Sequence, residues 1–396
     1  MSDTKKGLII YVGPVEVPAN SAASRRILGN VKAFQNAGYE VLIGGAQIGN
    51  NDYIFHDGIA VFETGERKHE NLPTALKYFA YRNMGKETIA WLNSINQKID
   101  AVILYSGYSP YLLRLLPWCR KKNIPLVFDA VEWYEAPTKM QKWLNPYYWN
   151  IELSMLNLIP KTKNVICISS YLQNFYNSKN CNTIIIRPLI DIDEFSEVEK
   201  SNIDSILKLS YTGTPGKKDL FNHFIEAIFC LKDENKLTKQ IILNIAGISE
   251  NQLLKYDAFK IRNIVKLPDF IKTLGYVSNK EAWELTASSH FSLLLRNNKR
   301  VATAGFPTKI VESLALATPI ITNLSSDLGN YLTHKKNSLI CQNYTVEELK
   351  KRIVEAQNFT NSEYASISEN AKSTAIQYFQ YSNQPQKLIE FIDNLK

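Results

Sequence analysis

Two stretches of the sequence carry residues whose types and spacing could hold an anion. The first, YTGTPGKKDLFNHFIEAI, begins at Tyr211. Gly213 and Gly216 bracket Thr214 and Pro215, and the basic pair Lys217 and Lys218 precedes a helical pattern opening at Asp219 or Leu220. Backbone N–H groups at a helix start, beside an ammonium, suit a diphosphate. The spacing is not that of a P-loop, and a tight turn with a solvated lysine pair fits it too. The second stretch, TAGFPTKIVESLALATPIIT, runs from Thr303 to Thr322. Gly305 permits close backbone approach, and Pro307 suits a first helical turn. Thr308 and Lys309 stand at the positive end of the helix dipole. Glu312 follows one turn later, among the i, i+4 pairs Ile310/Leu314 and Val311/Ala315. Its carboxylate is either a ligand contact or a boundary acid paired with Lys309 at i, i+3.

Both stretches need a scaffold, and the chain supplies one. GLIIYVG (7–13), YEVLIGG (39–45), DAVILYS (100–106), PLVFDA (125–130) and NVICIS (164–169) read as strands. Between the first two lies SAASRRILGNVKAFQNAG, with Ile27, Val31 and Phe34 on one helical face and Gly38 as its stop. The pattern restarts after TIIIRPLIDIDEF (183–195), with strands at 207–213, 239–247, 271–277, 290–296 and 318–323. Strands alternating with helices predict parallel sheets. The expected organisation is an N-terminal Rossmann-like domain over 1–190 and a C-terminal one over 191–377, the boundary lying near Pro188–Phe195. Ligands of such sheets bind beyond the strands' carboxyl ends, and two facing sheets would enclose a cleft.

Bulk properties narrow the function. A chain of 396 residues, 45% hydrophobic and 21% charged, fits two soluble domains. The formal charge of +8 is spread along the chain without a nucleic-acid-binding stripe or motif. Anionic small molecules or an anionic membrane face remain as partners beside a plain solvated surface. Cys119, Cys167, Cys181, Cys230 and Cys341 are scattered and form no CxxC, which points to a reducing compartment and away from structural zinc. The five histidines do not cluster, so no metal site is expected from them. The apolar run in MSDTKKGLIIYVG is too short for a signal peptide or a membrane span. A cytoplasmic protein is expected, touching membranes, if at all, from one side. The segment 139–160, KMQKWLNPYYWNIELSMLNLIP, is rich in Trp and Tyr behind basic residues. It suits a membrane surface, an acceptor, or ordinary packing.

The stretch AGFPTKIVESLALATPIIT resembles the donor-site motif of retaining glycosyltransferases of the GT-B fold, in the large family 4 (glycosyl transferases group 1). The resemblance extends over nearly the whole chain and marks the branch with a GFPTK loop. It implies two Rossmann-like domains facing across a cleft, with a C-terminal helix, about 378–396, packing back on the first. It places a nucleotide sugar on the C-terminal half. Glu312 would take the ribose hydroxyls; Lys218 in YTGTPGKKD would hold the diphosphate. Gly247 in LNIAGIS and Tyr276 in LGYVSNKE would frame the base. Gly213, Thr214, Lys217, Arg296, Gly305, Phe306, Pro307, Thr308 and Lys309 complete the donor set. Gly13, Pro14 and Arg25 fall in the acceptor-side loop.

Departures from the family pattern shape the expectation. Ala304 stands where the family's first Glu would be. Thr214 or Pro215 occupies the place of an Arg, so Lys218 would act with Lys217 or Arg296. Ala317 replaces a common glycine. Val131 stands where many members carry a histidine, leaving Asp129 and Glu132 as candidate carboxylates for an oxocarbenium-like sugar. The implied activity is metal-independent hexosyl transfer with retention, from a nucleotide sugar to a glycan or lipid-linked acceptor, in the setting of bacterial surface polysaccharide synthesis. The alternatives are a GT-B sugar-nucleotide epimerase, which would need no acceptor, and a non-catalytic sugar-nucleotide-binding protein. The DID at Asp191–Asp193 resembles the metal-binding DxD of another glycosyltransferase fold, but it lies in the expected linker. No cofactor or metal is expected; the oligomeric state is left open.

Overall fold

The apolar runs form the strands of two sheets in the computed structural model, which describes residues 6–50, 52–68, 73, 80–136, 138–195, 200–216 and 218–396. The chain up to Leu189, together with Tyr381–Lys396, makes one unit; Ile190–Gln380 makes the other.

The first unit begins with β1 (Leu8–Val12), α1 (Ala22–Asn36), β2 (Glu40–Gly45), β3 (Tyr53–His56), β4 (Ile59–Glu63) and α2 (Lys86–Ser94). It continues with β5 (Ala101–Tyr105), α3 (Tyr108–Lys122), β6 (Leu126–Ala130), α4 (Lys139–Leu144) and α5 (Pro146–Leu153). Its last elements before the second unit are β7 (Asn164–Cys167), α6 (Ser170–Asn177) and β8 (Asn182–Ile185). The sheet order is β3-β4-β2-β1-β5-β6-β7-β8. All pairings are parallel except β3 with β4, a hairpin turned at Asp57 and Gly58, both at positive φ. Every residue of β1 and β6 is buried, as a sheet covered on both faces requires. Helix α1 is capped by the Ser21 hydroxyl, which accepts from the Ser24 N–H, and it buries Ile27, Val31 and Phe34. Strand order reverses between β1 and β5. There Gly13 is sterically required, since a Cβ would stand 2.4 Å from the Tyr105 carbonyl oxygen.

The second unit holds β9 (Ile206–Thr212), α7 (Phe221–Asp233), β10 (Gln240–Ala246), α8 (Glu250–Leu253), α9 (Asp257–Lys260), β11 (Ile271–Thr273), α10 (Asn279–Ala287) and β12 (Phe291–Leu294). Then come α11 (Arg300–Ala304), α12 (Thr308–Ala315), β13 (Ile320–Asn323), β14 (Ser338–Cys341), α13 (Val346–Gln357) and α14 (Asn361–Phe379). Its six strands are all parallel, in the order β11-β10-β9-β12-β13-β14. The reversal falls between β9 and β12, which is where an open parallel sheet receives a ligand. Helix α15 (Pro385–Asp393) belongs to the first unit, where Leu388 and Phe391 join the core of Ile27, Val31 and Ile186.

Candidate functional site

At the β9/β12 reversal the chain assembles a cluster around Asp219. This side chain is only 3% exposed. Its Oδ1 accepts from Arg296 Nε at 3.0 Å, and its Oδ2 from Lys309 Nζ at 3.2 Å and the Tyr211 hydroxyl at 2.9 Å. Lys309 Nζ also donates to the Tyr211 hydroxyl at 2.7 Å. Burial pushes the Asp219 carboxyl up, but Lys309, Arg296 and Tyr211 outweigh it and hold it below the usual carboxylate range. Burial lowers the Lys309 ammonium, an effect Asp219 offsets only in part. Arg296 is itself buried, and its Nη1 has no hydrogen-bond partner among the described residues. A buried guanidinium N–H in that state calls for water or an anion. The Arg296 backbone is fixed by Asn323, whose side chain accepts from its N–H at 2.9 Å and donates to its C=O at 3.0 Å.

Glycines let the loops after β9, β10 and β11 approach closely. Gly213 sits at φ +98°, and a Cβ there would stand 2.7 Å from Lys309 Cε. Gly247 sits at φ +100°, and a Cβ there would stand 2.5 Å from the Gly213 carbonyl carbon. The Gly247 N–H donates to the Gly275 carbonyl at 2.6 Å. Beside this stack lies a pocket of about 340 Å³ lined by Thr214, Pro215, Ile248, Gln252, Tyr256 and Tyr276. Tyr276 is exposed, and its hydroxyl donates to Gln252 Oε1 at 2.9 Å. The pocket thus offers an aromatic ring, small residues and an amide, a surface suited to a planar ring.

The GFPTK loop leads into α12 with Pro307 as its N-cap and Thr308 as its first residue. Phe306 is a core residue by its side chain, packing on Tyr331 and Phe379 with centroids 5.8 Å away in each case. Any contact it makes with a ligand is therefore through its backbone. Residues Ile310–Ala315 are all buried, Glu312 among them. Ser313 ties the helix to β12 through the Ser292 hydroxyl at 2.6 Å. Lys309 does not swing into solvent as its position on the helix first suggests; Asp219 and Tyr211 hold it. It still feels the charge of Glu312. Lys218 is half-buried next to Asp219, and Lys217 lies outside the described residues.

In the first unit the structure separates the two candidate carboxylates. Asp129, at the end of β6, is fully buried. Arg26 donates to it through Nε at 3.0 and 3.1 Å and through Nη2 at 2.6 Å, and Tyr11 adds its hydroxyl. Arg26 Nη1 also donates to the Ile186 carbonyl at 3.0 Å. Asp129 is thus the counter-ion that lets α1 carry a buried arginine onto the sheet. Glu132 lies half-buried in the loop beyond β6 and contacts Tyr134, whose phenol is raised by burial and then by Glu132. Beyond β1 a cavity of about 710 Å³ is lined by Pro14, Val15, Ala19, Ala23, Tyr81 and Met84, with Arg67 paired to Glu16 at its side. Pro14 thus lines this cavity, Gly13 sits at the strand end beside it, and Arg25 is half-buried in the first turn of α1.

Sequence reasoning missed Asp219, read only as a helix opener, and Arg26, Tyr211 and Asn323. The signal for Asp219 was local: a lone acid after two lysines and before an apolar helix. The others depend on pairings across the sheet. Asp191 of the DID caps a short turn by accepting from the Asp193 N–H at 3.3 Å. Among the described residues no three His, Cys, Asp or Glu side chains group as metal ligands.

Residues 194–374 match the family model described as Glycosyl transferases group 1. The whole chain is similar in structure to sucrose-phosphate synthase from Thermosynechococcus elongatus, at a TM-score of 0.74 and 12% identity, over 97% of this chain and 98% of that one. It is similar to HepE of Anabaena, solved in complex with UDP and glucose, at 0.65 and 15%, over 98% and 100%. It is likewise similar to a glycosyltransferase from Rickettsia africae at 0.64 and 14%, over 98% of each chain. No curated protein matches it in sequence. These likenesses establish the GT-B fold.

Proposed function

Because residues 194–374 form a glycosyl transferases group 1 domain within a GT-B fold, we propose that the chain transfers a sugar from a nucleotide-sugar donor, with retention, to a glycan or lipid-linked acceptor. The observation that carries this reading is the cluster at the β9/β12 reversal. Two cations share one buried carboxylate there, and one guanidinium N–H has no acceptor among the described residues. That is an arrangement for phosphate oxygens.

The donor diphosphate lies against Lys309, Arg296, Lys218 and the N-terminus of α12. These fixed charges stabilise the leaving nucleoside diphosphate as the glycosidic bond breaks, without a metal. The base occupies the pocket floored by Tyr276, and Glu312 takes the ribose hydroxyls. UDP is the first nucleotide to test, since HepE was solved with UDP and with UDP-glucose. Asp129 serves to position α1, which leaves Glu132 as the candidate carboxylate of the first unit. Thermal-shift screening against nucleotide sugars tests the reading. A true donor at a hundred times its Kd stabilises by about 2.7 kcal/mol, whereas no shift with any nucleotide sugar contradicts it. Turnover of the donor only when acceptor is present separates transfer from epimerisation.

A further inference from the structure

The loops after β10 and β11 meet as one frame beside the pocket of about 340 Å³. Ile248 and Gly275 form an antiparallel bridge, and the Thr273 hydroxyl donates to the Ile248 carbonyl at 2.7 Å. Gln252, which lines the pocket, ties the two loops together through a single atom. Its Oε1 accepts from the Ser249 N–H at 3.0 Å, the Ser249 hydroxyl at 3.0 Å and the Tyr276 hydroxyl at 2.9 Å. A backbone N–H can only donate, so the oxygen of the amide, and not its nitrogen, must face Ser249. This is the return arm of a capping box at the start of α8, with Ser249 as the N-cap. Three donors saturate the two lone pairs of that oxygen. The amide is thereby locked, and among the described residues its Nε2 makes no hydrogen bond. What Gln252 can offer a ligand in the pocket is a pair of N–H donors.

We infer that Gln252 selects the base of the nucleotide sugar by donating from Nε2 to a ring carbonyl oxygen. The inference rests on the nucleotide-sugar reading and names the class of base within it. Uracil and guanine present a carbonyl oxygen at the edge where cytosine and adenine present an amino group. An amide nitrogen matches the first pair and meets the second donor to donor. Nothing else in the lining favours an amino group: Lys255 also only donates, and no carboxylate lines the pocket among the described residues. Discrimination of this kind comes as much from the mismatch with the wrong base as from the bond to the right one.

Calorimetric titration of UDP, CDP, GDP and ADP into the full chain tests the inference. Wild type should prefer UDP to CDP, and GDP to ADP, by roughly three- to tenfold or more. Gln252→Glu keeps an oxygen for the Ser249 N–H, since Glu serves a capping box as Gln does, so the melting temperature should stay near wild type. It replaces the N–H donors with an oxygen that only accepts. The preference for UDP over CDP should fall to parity or reverse. The added charge repels both diphosphates alike, so the ratio isolates the base. Gln252→Ala, lacking the amide altogether, should also bring the ratio toward parity. Equal binding of UDP and CDP by wild type, or a preference unmoved in the folded variants, would overturn the role of Gln252 while leaving the nucleotide-sugar reading in place. Failure of every nucleoside diphosphate to bind folded wild type would overturn both.

Discussion

Lys309 Nζ stands 3.2 Å from Asp219 Oδ2, and the other oxygen of that carboxylate holds Arg296 Nε at 3.0 Å. One buried acid therefore orders two cations, Arg296 in the loop after β12 and Lys309 in the first turn of α12. Such an arrangement keeps both charges in place before a ligand arrives, so less ordering remains to be done on binding.

Asp219→Asn should strip this counter-ion from Arg296 and Lys309. Breaking a buried pair costs about 3–5 kcal/mol, and Lys309 is a quarter exposed, so the lower end applies. The melting temperature should fall by roughly 6–12 °C. UDP should restore more stability to this variant than it adds to wild type, because its phosphates replace the lost charge. The pH dependence has a definite sign. Asp219 is held below its ordinary value, so its stabilisation is complete above the unfolded carboxyl pKa of about 3.9. It is lost as pH falls through the lower folded value. Thermal unfolding of the variant should lack that acid-side dependence.

Gly213→Ala and Gly247→Ala should both damage the phosphate side of the site. Each places a Cβ at positive φ and within 2.7 Å of another group, Lys309 Cε in the first case and the Gly213 backbone in the second. The strain amounts to about 1–3 kcal/mol. Denaturant unfolding should register it, and UDP affinity should drop in the folded fraction because Lys309 is displaced.

The two N-terminal carboxylates should part company. Asp129→Asn removes the partner of buried Arg26 and should lower stability by about 3–5 kcal/mol. Glu132→Gln, in a half-buried loop, should leave the melting temperature near wild type. Because Glu132 is the remaining candidate carboxylate of the first unit, its substitution should lower kcat without weakening UDP binding. Wild-type turnover in Glu132→Gln removes it from the reaction.

Much of this was legible in the sequence because buried parallel strands leave near-continuous apolar runs. GLIIYVG and NVICIS are examples, and both are strands. The β3/β4 hairpin and the edge strands β8 and β14 were not legible: they are four or five residues long and partly polar or exposed. At the site, local patterns exposed Gly213, Lys309 and Glu312. Local patterns could not show that Asp219 binds Lys309, ninety residues away. Nor could they show that Asp129 belongs to Arg26 rather than to a ligand. Those facts are made by sheet topology, which brings strand ends together only once the chain is folded.

Tyr276 gives a test of the base pocket. Its ring is exposed and shares the pocket with Thr214, Pro215 and Tyr256. Tyr276→Ala should weaken UDP binding by about 0.5–1.5 kcal/mol through lost ring contact. Tyr276→Phe should lose less, keeping the ring and giving up only the bond to Gln252. Calorimetry on both variants, with free uridine beside UDP, assigns the loss to the base.

Glu312 is the residue on which the second unit's hold on the nucleoside diphosphate of a sugar donor turns. Its carboxylate is buried among Ile310, Val311, Leu314 and Ala315 of α12, an environment that disfavours a charge unless partners meet it. A ribose presents two adjacent hydroxyl donors to its two oxygens. The direct measurement is calorimetric titration of UDP into wild type and Glu312→Gln, each first shown to be folded by its melting curve. Wild type should bind, and the variant should lose about 1.5–3 kcal/mol, roughly ten- to more than a hundredfold. The deficit should shrink for an analogue lacking the ribose hydroxyls. Equal affinity in the two proteins, or no binding by folded wild type, would contradict it.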